Sequence, residues 1–235
     1  MSATTVKNIP RIRSIIRMTL PKFFDAETYI WNRFSAADAI LVDIRHDDDD
    51  DDGGWRRKVL RGALDRAPYK PRIYMEPTSR RKDHDAWMKD IAVCSHKNLH
   101  GFLLRIRDGD VLREVESILR RDGQLVRDPY RTLAKIVPPH YKGASVLVDI
   151  EYRMIPYAVL KYHNFGGRRE GGWDHLAHMV RYTTRANVKA LAWRARASPS
   201  LVDLEREMNM LKEIGFTGVM LNNSDLIELA NKIFN

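Results

Sequence analysis

The chain has 235 residues, 44% of them hydrophobic, a formal net charge of +9 and a single cysteine, Cys94. One cysteine rules out an internal disulfide and any cysteine-rich zinc site, and no run approaches the roughly 18 to 20 apolar residues that span a bilayer. The positive excess suits an anionic ligand, a nucleic acid or an acidic surface, and is silent on fold.

Residues 1 to 24 carry Lys7, Arg11, Arg13, Arg17 and Lys22 and no acidic residue. That composition is similar to a mitochondrial presequence, yet Pro10 and the β-branched IRSII favour a first strand, RIRSIIRM (11–18). A helix, FDAETYIWNRF, leads to a strand AILVDI (39–44) that carries Asp43. Six aspartates, Asp47 to Asp52, and Gly53 and Gly54 follow; six adjacent like charges suit neither strand nor helix, so 46–54 is expected as a flexible acidic loop.

Further strands are expected at RIYME (72–76), GFLLRI (101–106), SVLVDIE (145–151), VKALAW (188–193) and TGVML (217–221). Between them lie helical patterns: WRRKVLRGALDRA, DHDAWMKDIAVCS, DVLREVESILRR, GGWDHLAHMVRYTTRA, SLVDLEREMNMLKEI and SDLIELANKIF. Alternation of strand and helix implies an α/β fold with a parallel sheet, and runs apolar at consecutive positions imply strands covered on both faces. One domain over residues 1–235 is expected. In DVLREVESILRR, Val111, Leu112, Val115, Ile118 and Leu119 form one apolar stripe. Ser200, with Asp203 three residues on, reads as an N-cap, Gly215 as a C-cap and Ser224 as the start of the last helix. Cys94 reads as a buried helix residue, and the absence of disulfides points to the cytoplasm, with the mitochondrion as the alternative.

Asp43 and Glu151 each end an apolar strand, where α/β barrels and open sheets place their active sites. Two carboxylates, waters and substrate oxygens commonly hold Mg²⁺. Asp174 is a third candidate, preceded by the glycine pairs 166–167 and 171–172; a plain helix-capping role would equally explain it. His175 and His178 stand one turn apart, but no HExxH accompanies them. No GxGxxG, P-loop or GxSxG occurs, which argues against dinucleotide binding, P-loop phosphoryl transfer and serine hydrolysis.

Several segments resemble the citrate lyase β-subunit group of the HpcH/HpaI aldolase superfamily. GFTGVMLNNSDLIELANKIF is similar to that family's carboxyl-end pattern, with Asp203 matching the acidic residue before the preceding helix. RSII resembles its first-strand Arg-Ser (Arg13, Ser14), ADAILVDIRH its second strand, and Arg57 to Arg61 the basic spacing that follows. VLVDIEY sets Glu151 on its metal-binding Glu, and GGWD sets Asp174 on the Asp of Gly-Gly-x-Asp. The sequence departs from the pattern at Arg45 and His46, at Arg105 and Arg107, at Arg72 on the third strand, and at Asn222 and Asn223.

The resemblance implies a (β/α)₈ TIM barrel. Only 22 residues separate Glu151 from Asp174, so no sixth strand is evident and shortening or distortion is expected around strands five to seven. It also implies a Mg²⁺-dependent carbon–carbon lyase or aldolase acting on a 2-oxo acid or acyl-CoA ester through a metal-stabilised enolate, with Glu151 and Asp174 as ligands. Arg13, Arg72 or Arg105 would bind the substrate carboxylate, and Asp43 would orient a metal-bound water or Arg13. A homo-oligomer follows by family likeness. The competing reading is a catalytically degenerate barrel that binds an acidic or nucleic-acid partner, because strands two, three and four depart from the pattern.

Overall fold

The computed structural model describes residues 11–20, 34–45, 54–67, 71–105, 110–121, 132–136, 156–162, 172–194 and 200–235. Eight parallel strands close into a barrel in sequence order: β1 (Ser14–Thr19), β2 (Ala39–Asp43), β3 (Arg72–Glu76), β4 (Gly101–Arg105), β5 (Thr132–Ile136), β6 (Tyr157–Tyr162), β7 (Lys189–Arg194) and β8 (Gly218–Leu221). Helices α1 (Gly54–Asp65), α2 (His84–Cys94), α3 (Asp110–Arg121), α4 (Gly172–Arg185), α5 (Leu201–Glu213) and α6 (Ile227–Ile233) lie among them. The (β/α)₈ expectation is met.

Two expectations about the middle of the chain are corrected. The fifth stave is TLAKI at 132–136, not SVLVDIE, and the sixth is YAVLKY at 157–162. β5 pairs β4 through Leu103↔Leu133 and β6 through Leu133↔Tyr157, so the ring closes without residues 145–151. Glu151, the aspartate run and the FDAETYIWNR segment lie outside the described residues.

The strand sequences explain the two-sided burial. Ile15, Leu41, Tyr74, Leu103, Val159, Leu191 and Met220 form a cluster made only of residues on or beside strands, which is the barrel interior. Their neighbours Ile16, Ile40, Ile73, Leu104, Leu160 and Val219 pack instead with helix residues such as Leu60, Val115, Met179 and Leu204. Period-two alternation inside a closed sheet assigns the two sets, so both must be apolar.

Ring closure needs glycine at one point. A Cβ on Gly218 would stand 2.4 Å from the Ile12 carbonyl oxygen, because β8 runs against the entry to β1 and the Val219 N–H donates to Arg13 O at 2.9 Å. The seam is reinforced by the Ser14 hydroxyl donating to Asn231 Oδ1 at 2.7 Å and by Asn231 Nδ2 donating to Ala36 O at 2.9 Å.

The helix ends follow the local sequence. Ser200 accepts from the Asp203 N–H and Gly215 takes φ +104° after α5, as a left-handed cap requires. At the last helix the cap is Asn223, which accepts from the Asp225 N–H, and Ser224 begins a 3₁₀ turn instead. Val111, Leu112, Val115 and Ile118 are buried on α3. Cys94 is fully buried, and burial, with Asp90 adding to it, pushes its thiol up to about 12. Among the described residues, no helix is long and apolar enough to cross a membrane.

Candidate active site at the carboxyl end of the barrel

Alternation carries charged residues to the carboxyl end of the barrel interior. Arg17 follows Ile15 on β1, Asp43 follows Leu41 on β2, Glu76 follows Tyr74 on β3, Arg105 follows Leu103 on β4, and Lys161 follows Val159 on β6. Asp43 and Glu76 are direct partners in the β2–β3 register. The Asp43 and Glu76 side chains are only 7% and 5% exposed, so neither can be ionised cheaply without a cation.

Arginine supplies that cation. Arg17 Nη2 donates to Asp43 Oδ2, and its Nε donates to Glu76 Oε2 at 3.4 Å. Arg45 binds Asp43 in a fork, Nε to Oδ1 at 2.8 Å and Nη2 to Oδ2 at 2.6 Å, and its Nη1 stands 3.5 Å from Glu76 Oε1. Burial pushes the Asp43 carboxyl up, but the hydrogen bonds and charge of Arg45, joined by the charge of Arg17, outweigh it and hold the group below the usual carboxylate range. Trp193 on β7 adds a ring that serves two cations, Arg17 with Cζ 5.2 Å from the centroid and Lys161 with Nζ 4.8 Å from it.

Beside this network a cavity of about 550 Å³ opens, lined by Arg45, Glu76, Arg105, Lys161, Arg80 and Arg81 among others. The loop after β3 forms one wall and is anchored from below. Asp90 on α2 accepts from Arg57 Nη1 at 2.8 Å and from the Thr78 N–H at 2.7 Å, with Arg57 and Asp90 both buried. A second cavity, of about 640 Å³, lies outside the ring among β6 to β8 and α5. There Tyr162 donates to Glu207 at 2.5 Å and Arg194 pairs with Glu207 at 3.0 Å, so its charges satisfy one another in the strand–helix layer.

The predicted site residues divide between the two ends of the barrel. Asp43 and Arg105 stand at the carboxyl mouth as expected from strand direction. Arg13 and Arg72 stand at the amino end: Arg13 precedes β1 and Arg72 is the first residue of β3. Four residues of strand, about 13 Å, separate each from the mouth. Arg13 is instead bound to Asp38 by Nε at 2.9 Å, Nη2 at 2.8 Å and its own backbone N–H at 2.7 Å. Burial raises the Asp38 carboxyl, but those bonds hold it low. Asp43 therefore orients Arg17 and Arg45, not Arg13.

Three residues of the mouth, Arg17, Glu76 and Lys161, belong to none of the motifs read from the sequence. The signal for the first two was present, since each falls two residues beyond an inward apolar position on its strand. Lys161 lies on β6, a strand without a clear sequence signal.

The expected magnesium ligands are not assembled among the described residues. Asp174 is exposed in the first turn of α4, Glu151 lies outside the described residues, and among those residues no three His, Cys, Asp or Glu side chains cluster as a metal site. The two carboxylates that do meet, Asp43 and Glu76, are engaged by guanidinium groups. The described mouth fits an anion better than a cation. On α4, His178 packs edge-on against Tyr182 at 4.9 Å.

No family model matches the sequence, and no curated protein matches it. Solved structures do match the fold. The chain is similar to Haloferax volcanii malate synthase in its magnesium and glyoxylate complex, with a TM-score of 0.68, 12% identity, and coverage of 95% of this chain and 75% of that one. It is similar to the Mycobacterium tuberculosis citrate lyase β subunit complexed with oxaloacetate and magnesium, with a TM-score of 0.63, 14% identity and coverage of 96% and 97%. RipC from Yersinia pestis matches with a TM-score of 0.63, 14% identity and coverage of 95% of both chains. These likenesses establish the barrel.

Proposed function

We propose that this chain is a divergent member of the HpcH/HpaI aldolase superfamily, a carbon–carbon lyase or aldolase acting on a 2-oxo acid or acyl-CoA ester at the carboxyl mouth of its barrel. One observation carries the reading: four cations, Arg17, Arg45, Arg105 and Lys161, surround two carboxylates, Asp43 and Glu76, where strand ends converge. Among the described residues these four cations outnumber the two carboxylates at the mouth. The oxaloacetate and glyoxylate named for the similar structures are anions.

The chemistry follows from the roles. A guanidinium matches a carboxylate in bidentate geometry, so Arg105 holds the acid end of the substrate, while Arg45 keeps its fork on Asp43. Asp43 spends its hydrogen bonds on keeping Arg17 and Arg45 in place. Breaking a carbon–carbon bond beside a carbonyl develops negative charge on the carbonyl oxygen, and fixed cations in a partly dry mouth stabilise it without reorganising. Magnesium enters this reading only through Glu151 and Asp174, and no step here is routed through it.

Cleavage assays, calorimetric binding of 2-oxo acids and magnesium titration test the proposal. Oxaloacetate, malyl-CoA and citramalyl-CoA are assayed for cleavage, with Arg17→Ala as the disabled control. Magnesium is titrated by calorimetry into wild type, Glu151→Gln and Asp174→Asn; saturable binding lost in either variant supports the metal pair. Absence of cleavage together with absence of 2-oxo acid binding ends the enzyme reading.

The second reading, a degenerate barrel that binds an acidic or nucleic-acid partner, is favoured by the lack of a three-ligand metal cluster among the described residues and by the net charge of +9. It predicts salt-sensitive binding to polyanions that survives Arg17→Ala.

A further inference from the structure

The mouth cavity has a second basic wall, beyond the strand ends. It touches both layers of the barrel at β4, through Leu103 of the interior cluster and Leu104 of the strand–helix layer. Arg105 and Lys161 line it from the strands, and Thr78, Ser79, Arg80 and Arg81 line it from the loop between β3 and α2. β3 and β4 are neighbours in the ring, and paired strands lie about 4.8 Å apart, so one small molecule can reach both the loop and Arg105.

The loop is held from several sides. Asp90 accepts the Thr78 N–H at 2.7 Å, and Asp83 caps α2 by accepting the Ala86 N–H at 2.8 Å. Arg80 pairs with Glu114 of α3 at 2.7 Å and sets its Cζ 5.7 Å from the centroid of the Trp87 ring, while His84 engages the other oxygen of Glu114. Within this fixed loop Thr78 is only 4% exposed, yet its Oγ1 and the buried Nε of Arg80 have no hydrogen-bond partner among the described residues. A buried donor in that state is costly until an acceptor meets it.

We propose that this loop binds the phosphate of a small phosphorylated 2-oxo acid whose carboxylate lies on Arg105. The inference rests on the reading that the mouth binds a 2-oxo acid, and names the far end of that substrate. A carboxylate is planar and is satisfied by one guanidinium fork, as Asp43 is by Arg45. The loop offers more than a second carboxylate would use: two hydroxyls and two guanidinium groups on four consecutive residues, Thr78 to Arg81. A phosphate, with three acceptor oxygens and close to two negative charges at neutral pH, suits that donor set. Glu76 and Glu114, carboxylates beside this wall, are already paired with arginine.

The test is calorimetry on the full chain, in buffer containing magnesium, with phosphohydroxypyruvate and hydroxypyruvate, one 2-oxo acid with and without a phosphate. Coenzyme A is titrated beside them as the other phosphate-bearing probe. The expected result is tighter binding of the phosphorylated acid by roughly tenfold or more. Arg81→Ala and Thr78→Val should each erase most of that ratio with the melting temperature retained, whereas Arg105→Ala should weaken both acids alike. Thr78→Val keeps the shape of the side chain, so a lost ratio there reports a contact and not a fold defect. Equal binding of the two acids, or a ratio that persists in both loop variants, overturns the phosphate site and leaves the 2-oxo acid reading standing. Coenzyme A binding that needs Arg81, with no gain for the phosphorylated acid, assigns the loop to a cofactor and overturns the proposal as well. No binding of either acid overturns both readings. If Thr78→Val fails to fold, Arg81→Ala, at an exposed position, decides alone.

Discussion

Arg57 on α1 donates at 2.8 Å to Asp90 on α2, and Asp90 in turn accepts the Thr78 N–H of the loop that walls the mouth. This buried pair joins two outer helices to the active end of the barrel. Removing one member strands a charge among apolar neighbours. Asp90→Ala should therefore cost about 3 to 5 kcal/mol in urea unfolding. Asp90→Asn, which keeps an acceptor for Thr78, should cost less and retain more ligand binding.

Arg105 offers a direct test of binding because it is exposed at the mouth and lines the cavity. Arg105→Ala should weaken 2-oxo acid affinity by about tenfold, roughly 1.4 kcal/mol, with no change in melting temperature. Equal affinity in wild type and variant would remove Arg105 from the site.

Asp38 and Asp43 both sit below the usual carboxylate range, at opposite ends of the barrel. A carboxyl whose folded pKa is depressed contributes stability that is fully present above its unfolded value, about 3.9, and is lost as pH falls through the folded value. The stability gap between wild type and either Asp38→Asn or Asp43→Asn should be level from about pH 6 to 8 and close in acid. Only Asp43→Asn should also impair ligand binding, because only Asp43 holds Arg17 and Arg45. Equal binding loss in both variants would show that the two ends are not independent.

Gly218→Ala should destabilise the barrel by about 3 kcal/mol or more, since the new methyl meets backbone and not a movable side chain. Thermal unfolding and near-UV circular dichroism would register it. Gly62→Ala, with nothing within 4 Å of the added carbon, should be neutral or slightly stabilising on its exposed helix face.

The barrel was legible where strands are continuous apolar runs. AILVD and GFLLR announce two-sided burial, and their register carries Asp43 and Arg105 to the mouth. TLAKI is hidden by its brevity, and YAVLKY by the short span between Glu151 and Asp174. SVLVDIE, with the stronger apolar run, drew the assignment that the ring gives to its neighbours. The end of the barrel that each arginine occupies depends on strand register to within a few residues: Arg13 reads like Arg17 until the pairing of Ile15 with Ala39 is known. Lys161 could not be placed while its strand was missing.

The seam between β8 and β1 joins residues far apart in the sequence. Ser14 and Asn231, bonded across 217 positions of sequence, can meet only after every strand between them has left the ribosome. Until then the nascent polypeptide presents an open curl with two unsatisfied edges, and the strand carrying Arg17 lacks its flank. The mouth thus becomes complete in one late event, and a translation pause upstream of Gly218 would lengthen the interval in which those edges are available to chaperones or to other copies of the chain.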